Sequence, residues 1–543
     1  MTQPRRIHVT YALIYANGPV HLGHLLGYVQ TDIWVRFQQL RGHQCDYICG
    51  SDTHGTPIML RAEQQGVTPK EMVTEISAQQ QQTFQRFHIG FTSFDQTDSS
   101  RNQQLVEQMY QTIHSKGDIV TKDVEQAFDT EKHMFLPDRY VRGTCPKCGA
   151  EDQYGDNCEV CGATYDPTDL INPISTVSGK PPIRKTSTHY FFDLPQYQQT
   201  LTTWFAQANL QPGVKNKLGE WFESGLQQWD ISRDAPYYGF VIPGTTDKYF
   251  YVWLDAPIGY LASYQKHCDA TQGHLNDVWG QDSQTEVYHF IGKDIMYFHA
   301  LFWPALLASA DYRLPTGVFA HGFLTINGQK MSKSRGTFIT GDQYLEHLNP
   351  EYLRYYYAAK LSDGVDDIDL NWEDFRLRVN ADLVGKVVNI ASRCAGFLRK
   401  KFANHLAGEL LDPSLFEHFA GQGEIIADHY ENRQFSAAMR EIMTLADQAN
   451  QFIEQHKPWE LAKDDSNLPQ VHLVCTQAIN LFRTLLVYLK PVLPVMAENV
   501  EMFLNSEALT WQDSQQPLLN HDINKFKPLM TRVEEAQLET LLH

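Results

Sequence analysis

The stretch RIHVTYALIYANGPVHLGHLLGYVQTDIWVRFQQLRGHQCDYICG, residues 6–50, decides the fold class of this 543-residue chain. Its first apolar run, residues 7–13, predicts a buried strand. A Gly-Pro turn follows, and apolar residues then recur at helical spacing over residues 21–40. A second apolar run at residues 46–49 predicts the next strand. This alternation of strand, helix and strand indicates a parallel sheet of the nucleotide-binding type.

The rest of the chain changes character several times. Residues 116–230 are rich in Gly, Pro and Asp, strand-like runs return at residues 249–253 and 287–291, and helical spacing dominates beyond residue 369. We therefore expect an α/β fold in which a Rossmann-type parallel sheet is split by a metal-binding insertion and followed by an all-α helical bundle. The expected segments are 1–115 and 231–325 for the two halves of the Rossmann domain, 116–230 for the insertion, 326–385 for a linking region and 386–543 for the bundle.

Composition excludes several classes of protein. Hydrophobic residues make up 42% of the chain, which is enough to build cores and excludes wholesale disorder. Asp and Glu total 64 against 45 Lys and Arg, so the net charge of −19 argues against a non-specific nucleic-acid coat. No secretory signal is visible, and the most apolar later stretch, residues 296–310, is too short to span a bilayer. We expect a cytoplasmic protein with no membrane partner.

Four of the nine cysteines fall in one window with the spacing of metal ligands. The pair Cys145 and Cys148 is followed after nine residues by the pair Cys158 and Cys161, and a glycine follows each pair. In a chain without an export signal, this pattern favours metal ligands over disulfides. Four thiolates saturate a tetrahedral zinc ion, so the sequence predicts one structural zinc. The alternative is four free surface thiols.

The motif His21-Leu22-Gly23-His24 opens the predicted first helix. The N-terminus of a helix offers free backbone N–H groups and the positive end of its dipole, which suits a phosphate group. Gly23 leaves space for a nucleotide to approach. Taken alone, the motif is equally compatible with an ordinary first turn and exposed histidines.

A second motif, KMSKS at residues 330–334, contains Lys330 and Lys333 and is followed by Arg335 and Gly336. Two lysines with small hydroxyl side chains and a glycine suit a loop that contacts phosphate. Such a string alone is usually a solvated surface loop. Combined with an HxGH motif about 310 residues upstream on a Rossmann half, it indicates a nucleotide site.

These two motifs together resemble those of the class I aminoacyl-tRNA synthetases, and within that class the chain is similar to the methionyl-tRNA synthetase family. The resemblance runs from about residue 7 through the bundle. Tyr11 and Ile14 depart from it, because the family usually has a smaller residue and a proline at these positions. The matching stretches, besides the cysteine window, are YALIYANGPVHLGH (11–24), GSDTHGTP (50–57), WDISRDAPY (229–237), YVWLDAPIGY (251–260), FIGKDI (290–295) and KMSKSRG (330–336).

The resemblance implies the activity of a methionine–tRNA ligase. Such an enzyme activates L-methionine with ATP to methionyl-adenylate and transfers it to the 3′ end of tRNA(Met), including the initiator tRNA. It implies Mg²⁺ bound with ATP and catalytic roles for His21, His24, Lys330 and Lys333. The implied ATP contacts are His21, Gly23, His24, Gly292, Asp294, Lys330 and Lys333.

The resemblance also implies a methionine pocket and an anticodon site. Asp52 is the candidate for the ammonium group of methionine, and without the resemblance the pocket aromatics would be interpreted as core. The implied methionine-binding residues are Leu13, Tyr15, Asp52, Arg233, Trp253, Ala256, Pro257, Tyr260, Ile295, His299 and Trp303. For the anticodon, Trp459 would stack on an unpaired base while Asn389 and Arg393 hydrogen-bond base edges. The alternative is a solvated basic helix, since residues 376–401 are rich in Lys and Arg, and a packing tryptophan.

Three other functions stay open. The first is another class I synthetase for an apolar amino acid, against which the saturated zinc site, the short insertion and the pocket residues argue. The second is a small-molecule nucleotidyltransferase, which would have no use for a basic helical bundle. The third is a zinc-knuckle nucleic-acid binder, which leaves both phosphate motifs unexplained. Many bacterial members of the family continue into a C-terminal tRNA-binding module that dimerises, so we expect a monomer for this chain and a homodimer for a longer protein.

Overall fold

The computed structural model describes residues 4–331 and 338–542 of the chain. Lys333 therefore lies outside the described residues. A parallel sheet forms around the strand Arg6–Tyr11, which is buried from residue 7 onwards because strands flank it on both sides and helices cover it. Across the sheet, the strands run in the order Asn209–Leu210, Gly317–His321, Glu286–Gly292, Arg6–Tyr11 and Gln44–Asp52, and both Ile14–Tyr15 and Ser93–Gln96 pair with Gln44–Asp52.

The order of the strands reverses at the centre of this sheet. From Arg6–Tyr11 the first half of the chain builds outward on one side, and from Glu286–Gly292 the second half builds outward on the other. The two central strands are parallel, with Tyr11 opposite Phe290. In such sheets the crevice at the carboxyl ends of the two strands is where ligands bind. The predicted Rossmann-type sheet is confirmed.

Helices cover the sheet on both faces. They are Leu22–Leu40, Thr56–Gln65, Pro69–Arg86, Ser100–Ser115, Val252–Thr271, Asn276–Trp279 and Trp303–Ser309. The strand predicted at residues 249–253 is wrong in its second half, because the strand is only Lys248–Phe250 and a helix begins at Val252. That helix is buried almost all round, so its aromatic and apolar start cannot be told from a buried strand by periodicity.

The insertion is built on a long antiparallel pair, Ile119–Asp129 with Ile183–Phe192, which Met134–Phe135 and Trp229–Asp230 extend. A separate three-stranded sheet of Val141–Thr144, Gln153–Tyr154 and Ile171–Ser175 supports the cysteine window. The chain returns to the main sheet earlier than the predicted boundary at residue 230. Asn209–Leu210, between the helices Gln198–Gln207 and Pro212–Ser224, already pairs with Gly317–His321, and a strand of two residues leaves no periodic signal.

Beyond the sheet, the chain forms a small sheet and then the helical bundle. The small sheet consists of Leu324–Ile326, Gln329–Lys330 and Ile368–Leu370. The helices are Gly341–His347, Pro350–Lys360, Trp372–Arg378, the π-helical Val379–Val388, Asn389–Lys401, Pro413–Gly421, Gly423–Glu431, Phe435–His456, Pro458–Leu461, Leu468–Leu489, Pro494–Leu504 and Glu535–Leu542. In the described part of the chain, one segment, Asp465–Leu489, is long and apolar enough to cross a membrane, but 89% of its most apolar window is buried as the central helix of the bundle.

A buried ion pair joins the sheet, the linking helix and the bundle. Arg354 is 0% exposed and its guanidinium lies 2.7 Å from Oδ2 of Asp32, which is 1% exposed on the first helix of the sheet. The same guanidinium donates to the backbone oxygens of Phe87, Pro491 and Val492. Burial opposes the charge of Asp32, but Arg36 and Arg354 hold the pKa of its carboxyl below the ordinary value. One guanidinium therefore fixes the first helix against the turn between two bundle helices.

Candidate active site

The two histidines of the HLGH motif cap the first helix reciprocally. His21 is the N-cap residue, and its Nδ1 accepts the backbone N–H of His24 at 3.2 Å, while Nδ1 of His24 accepts the N–H of His21 at 3.3 Å. The rings stack with their centroids 3.5 Å apart. Burial and the neighbouring His21 lower the pKa of His24 to about 3, so His24 is neutral. With its Nδ1 atom accepting, the neutral ring of His24 carries its proton on Nε2.

The segment that contains the KMSKS lysines is attached to the HLGH motif at both ends. On its N-terminal side, Met331 covers Gly23 so closely that a Cβ at position 23 would overlap the Cε atom of Met331. On its C-terminal side, the N–H of Leu22 donates to Ile339 O at 3.1 Å, and the N–H of Gly341 donates to Val20 O at 2.8 Å. Lys330 lies in the strand Gln329–Lys330, directly before Met331. The HLGH and KMSKS motifs, which lie about 310 residues apart in the sequence, therefore meet where Met331 contacts Gly23.

Gly292 and Asp294 lie where the second central strand ends. A Cβ at Gly292 would come within 2.6 Å of Oδ1 of Asp294, so glycine is required for the carboxylate to fold back over the strand end. Asp294 is exposed and lines the neighbouring cavity. A carboxylate at this edge of a doubly wound sheet is suited to hydrogen-bond the hydroxyl groups of a ribose.

An apolar cavity of about 250 Å³ opens beside these strand ends. His299 lies on its wall in the π-helical turn Phe298–Phe302, and its Nε2 is 2.8 Å from the hydroxyl of Tyr260. Eight of the eleven predicted methionine-binding residues line the cavity: Leu13, Asp52, Trp253, Ala256, Pro257, Tyr260, Ile295 and His299. The lining also includes Ala12, Trp229, Asp294, Tyr297 and Phe298, none of which was predicted to bind methionine. Ala12, Trp229 and Asp294 lie in stretches that match the family, whereas Tyr297 and Phe298 lie outside them.

The other three predicted residues lie elsewhere. Trp303 is 0% exposed, and its indole N–H donates to Nε2 of His289 at 3.1 Å, so it is part of the core behind the cavity wall and does not line the cavity. Tyr15 and Arg233 line an adjoining cavity of about 460 Å³ between the sheet and the insertion. The guanidinium of Arg233 stacks 3.6 Å over the ring of Tyr251.

Asp52 lies at the junction of the two cavities. Its carboxylate lines both of them, and its buried Oδ1 atom has no hydrogen-bond partner within the chain. Burial and the nearby charge of Asp255 raise the pKa of Asp52 well above its ordinary value, although His54 opposes this. A buried carboxylate oxygen without a partner is costly, and a bound ammonium group would satisfy it.

The two departures from the family pattern lie outside the apolar cavity. Tyr11 is 8% exposed, its hydroxyl is 2.9 Å from Nε2 of His321, and its ring occupies the space that a side chain at Gly27 would need. Ile14 is 3% exposed in the short strand Ile14–Tyr15. Neither side chain lines the cavity, so both act through packing.

The four cysteines of the window converge on one point. Their sulfur atoms all lie within 4.8 Å of one another, with Cys145 3.9 Å from Cys161 and Cys148 3.5 Å from Cys158. A tetrahedron with metal–sulfur bonds of ~2.3 Å has edges of ~3.8 Å, so the arrangement fits a metal ion. Each pair is closed by a glycine at positive φ, +74° at Gly149 and +72° at Gly162.

The three predicted anticodon residues lie together on the bundle. The guanidinium of Arg393 stacks 4.5 Å from the ring centroid of Trp459 and pairs with Glu454 at 2.6 Å. The amide of Asn389, one turn earlier on the same helix, donates to Asn450 at 3.1 Å. Five of the seven cations between residues 376 and 401 are paired with carboxylates: Arg376 with Glu373, Arg378 with Asp374, Lys386 with Asp447, Arg393 with Glu454 and Lys401 with Asp465. The basic excess in the sequence is therefore largely neutralised in the structure.

A Rossmann-type sheet with HLGH and KMSKS motifs joined at its switch point defines the class I aminoacyl-tRNA synthetases, and comparison with known proteins agrees. The family model described as tRNA synthetases class I (M) matches residues 7–395, and the model of the anticodon binding domain of methionyl tRNA ligase matches residues 411–531. The chain is 57% identical over 541 residues to the methionine–tRNA ligase of Francisella tularensis subsp. holarctica (strain OSU18), covering 99% of this chain and 80% of that protein. The chain therefore belongs to the methionine–tRNA ligase family.

Solved structures agree on the fold. The crystal structure of Mycobacterium tuberculosis methionyl-tRNA synthetase bound by methionyl-adenylate superposes with a TM-score of 0.80 at 23% identity, over 97% of this chain and 100% of that one. The apo form of the same enzyme gives a TM-score of 0.75 at 21% identity, over 98% and 100%.

The contact between Gly23 and Met331 is testable by a double substitution. We expect Gly23→Ala to lower the rate of ATP–pyrophosphate exchange about tenfold or more, because the new methyl group pushes the KMSKS segment off the first helix. Gly23→Ala combined with Met331→Ala should recover part of the rate. Gly219→Ala is the matched control, since a Cβ there meets nothing within 4 Å. Full activity of Gly23→Ala alone would contradict the contact.

Proposed function

We propose that the apolar cavity binds the side chain of methionine and that the joined phosphate motifs bind the triphosphate of ATP. The observation that carries the proposal is the buried Oδ1 atom of Asp52, which has no hydrogen-bond partner in the described part of the chain. Asp52 and Asp294 line the same cavity. Asp52 would bind the ammonium group, while Trp253 and Tyr260 contact the thioether. Contacts of sulfur with aromatic rings contribute ~0.3–1.5 kcal/mol each.

In the first step, an oxygen of the methionine carboxylate attacks the α-phosphorus of ATP, and the bond to the leaving pyrophosphate breaks. The chain forms no covalent bond to the substrate, so catalysis rests on positioning and on stabilising the phosphate charge. His24 is neutral and would act as a hydrogen-bond donor to phosphate through Nε2. Lys330 and Lys333 would supply positive charge, and losing one such contact should slow the step ~10²–10³-fold. Mg²⁺ bound with ATP would neutralise further charge.

The experiment that tests this proposal is ATP–pyrophosphate exchange with each of the twenty amino acids and homocysteine, without tRNA. We expect strong exchange with methionine and weak exchange with homocysteine, because discrimination by one methyl group is worth only ~1–3 kcal/mol. Exchange driven by a different amino acid would contradict the pocket assignment. Asp52→Asn, which keeps the size of the side chain, should raise KM for methionine and leave KM for ATP unchanged.

We propose that Trp459, with Asn389 and Arg393, contacts the CAU anticodon. The stacking of Arg393 on Trp459 holds the indole half-exposed at the bundle surface, where an unpaired base can stack on it.

Trp459→Ala should lower kcat/KM for tRNA charging about 5- to 150-fold, the effect of ~1–3 kcal/mol of base stacking. Pyrophosphate exchange, which needs no tRNA, should be unchanged. Trp459→Phe keeps an aromatic face and should retain most of the charging activity. An equal loss of both activities in Trp459→Ala would show that the tryptophan acts only through packing.

We propose that the cysteine cluster binds one structural zinc ion. Four thiolates leave no open coordination position, so the ion stabilises the insertion and takes no part in the reaction.

The purified protein should contain about one zinc per chain by elemental mass spectrometry. Cys158→Ser should lose the metal and lower the urea midpoint of unfolding, because removing a ligand removes metal-binding energy from folding. Cys268→Ser changes a buried cysteine outside the cluster and should keep the metal. Retention of zinc by Cys158→Ser would exclude this site.

We also infer a cytoplasmic location, where cysteine ligands stay reduced. We propose that this chain is a monomer, which size-exclusion chromatography with light scattering distinguishes from a dimer.

A further inference from the structure

A buried charged cluster lies directly behind Asp52. It consists of His54, Asp255 and Asp98, and we refer to it as the His54 cluster. His54 and Asp255 are each 1% exposed, and Nδ1 of His54 is hydrogen-bonded to Oδ2 of Asp255. Nε2 of the same ring is 3.9 Å from Oδ1 of Asp98. None of the three residues was assigned a role above, although His54 and Asp255 lie in two of the stretches that match the family.

The His54 cluster joins the elements that form the methionine cavity. His54 follows the strand Gln44–Asp52 by two residues, Asp98 follows the strand Ser93–Gln96 by two residues, and Asp255 is in the first turn of the helix Val252–Thr271. That helix supplies Trp253, Ala256, Pro257 and Tyr260 to the cavity wall. The hydrogen bond between His54 and Asp255 therefore sets the position of this wall relative to Asp52.

The charges of the cluster also bear on Asp52. Asp255 and Asp52 are two carboxylates in one buried region, and like charges disfavour ionisation of both. His54 opposes this repulsion, and its backbone N–H is bonded to the carboxylate of Asp52. Burial disfavours the charged form of His54, but Asp255 and Asp98 together raise its pKa to about 9. At neutral pH the imidazole is therefore cationic.

Several charged, polar and aromatic groups contact the residues of the His54 cluster. Lys70 lies 3.8 Å from Asp98, the hydroxyl of Tyr238 donates to Asp98 at 2.6 Å, and the rings of Tyr238 and Phe240 pack edge-on against His54. Tyr237 lies near Asp255, and Asn102 donates to the backbone oxygen of Asp255. The carboxylates of Asp52, Asp98 and Asp255 thus face the cations His54 and Lys70. Arg233, which pairs with Asp230, lines the larger cavity together with Asp52.

We propose that His54 is a positioning residue for methionine recognition: its imidazolium ties the Asp52 loop to the helix Val252–Thr271 and favours the ionised form of Asp52, which binds the ammonium group of the substrate. The proposal rests on the role of Asp52 proposed above. The imidazole of His54 is buried and does not line the apolar cavity, so the proposal gives it no direct contact with methionine or ATP.

The first test is His54→Gln, which keeps a hydrogen-bonding side chain but removes the charge. We expect KM for methionine to rise ~10–100-fold at pH 7, as for the loss of one charge-assisted hydrogen bond, while kcat and KM for ATP stay within about twofold. In this variant KM for methionine should fall again as the pH rises from 6 to 8.5, because a carboxyl whose pKa has been raised ionises with increasing pH. The parent, in which His54 opposes the rise in the pKa of Asp52, should show a weaker slope. His405→Gln removes a histidine from an exposed pair with Asp522 in the bundle and is the matched control.

A charge-balance rescue separates this role from a merely structural one. The double variant His54→Gln with Asp255→Asn removes one positive and one negative charge, so KM for methionine at pH 7 should return to within about fivefold of the parent. The proposal would be overturned if KM for methionine were as high in the double variant as in His54→Gln. It would also be overturned if KM for methionine were unchanged in His54→Gln. If His54→Gln does not fold, as judged by circular dichroism and the urea midpoint, the double variant still tests the balance.

Binding without turnover gives a second readout that keeps the two proposals distinguishable. L-Methioninol carries the ammonium group, and 4-(methylthio)butan-1-ol is the same molecule without it. Both compounds should inhibit exchange competitively with methionine. His54→Gln should raise the inhibition constant of L-methioninol ~10–100-fold and leave that of the alcohol unchanged. Equal weakening of both would show that the cavity wall has collapsed and would refute the electrostatic role. If Asp52→Asn does not weaken binding of L-methioninol more than binding of the alcohol, the assignment of Asp52 itself fails.

Discussion

The buried ion pair between Arg354 and Asp32 is the constraint on which the arrangement of this enzyme depends. A guanidinium at 0% exposure must satisfy its donors within the protein, and Arg354 does so with Asp32 and with backbone oxygens of Phe87, Pro491 and Val492. Breaking such a pair by removing one partner leaves an uncompensated buried charge, which costs about 3–5 kcal/mol. The first helix of the sheet therefore has one orientation relative to the bundle that contacts tRNA.

The phosphate site follows from that fixed helix. His21 and His24 occupy its N-terminus, and the backbone bonds from Leu22 to Ile339 and from Gly341 to Val20 attach the segment after the KMSKS lysines to it. These bonds use backbone atoms, so they fix where that segment leaves the helix without consuming a charged side chain. Because His24 is neutral, it offers a directed hydrogen bond at this helix end and no positive charge.

The sequence predicts those parts of the fold that local pattern determines. Apolar runs located the strands Arg6–Tyr11 and Gln44–Asp52 to within three residues at each end, and the HLGH motif placed a helix start at the residue that caps it. The pattern failed where burial removes periodicity, as at Val252, and where a two-residue strand such as Asn209–Leu210 carries no signal. The pattern also could not separate Trp303, a core residue, from the aromatic residues that line the cavity. Nor could it show that His54 and Asp255 are in contact, because these residues are 201 positions apart in the sequence.

Charge in the anticodon region illustrates why composition alone misleads. Residues 376–401 carry a strong basic excess in the sequence, yet five of these seven cations are paired with carboxylates. Three of the pairs reach other elements of the bundle, at Asp447, Glu454 and Asp465. A surface neutralised in this way adds little long-range attraction for an anionic RNA, and the net charge of −19 opposes it. The contact proposed above between Trp459 and an unpaired base would therefore rest on short-range stacking, which long-range charge does not supply. Glu454 neutralises the guanidinium that stacks on Trp459, so we expect this pair to attract phosphate groups less than an unpaired arginine would.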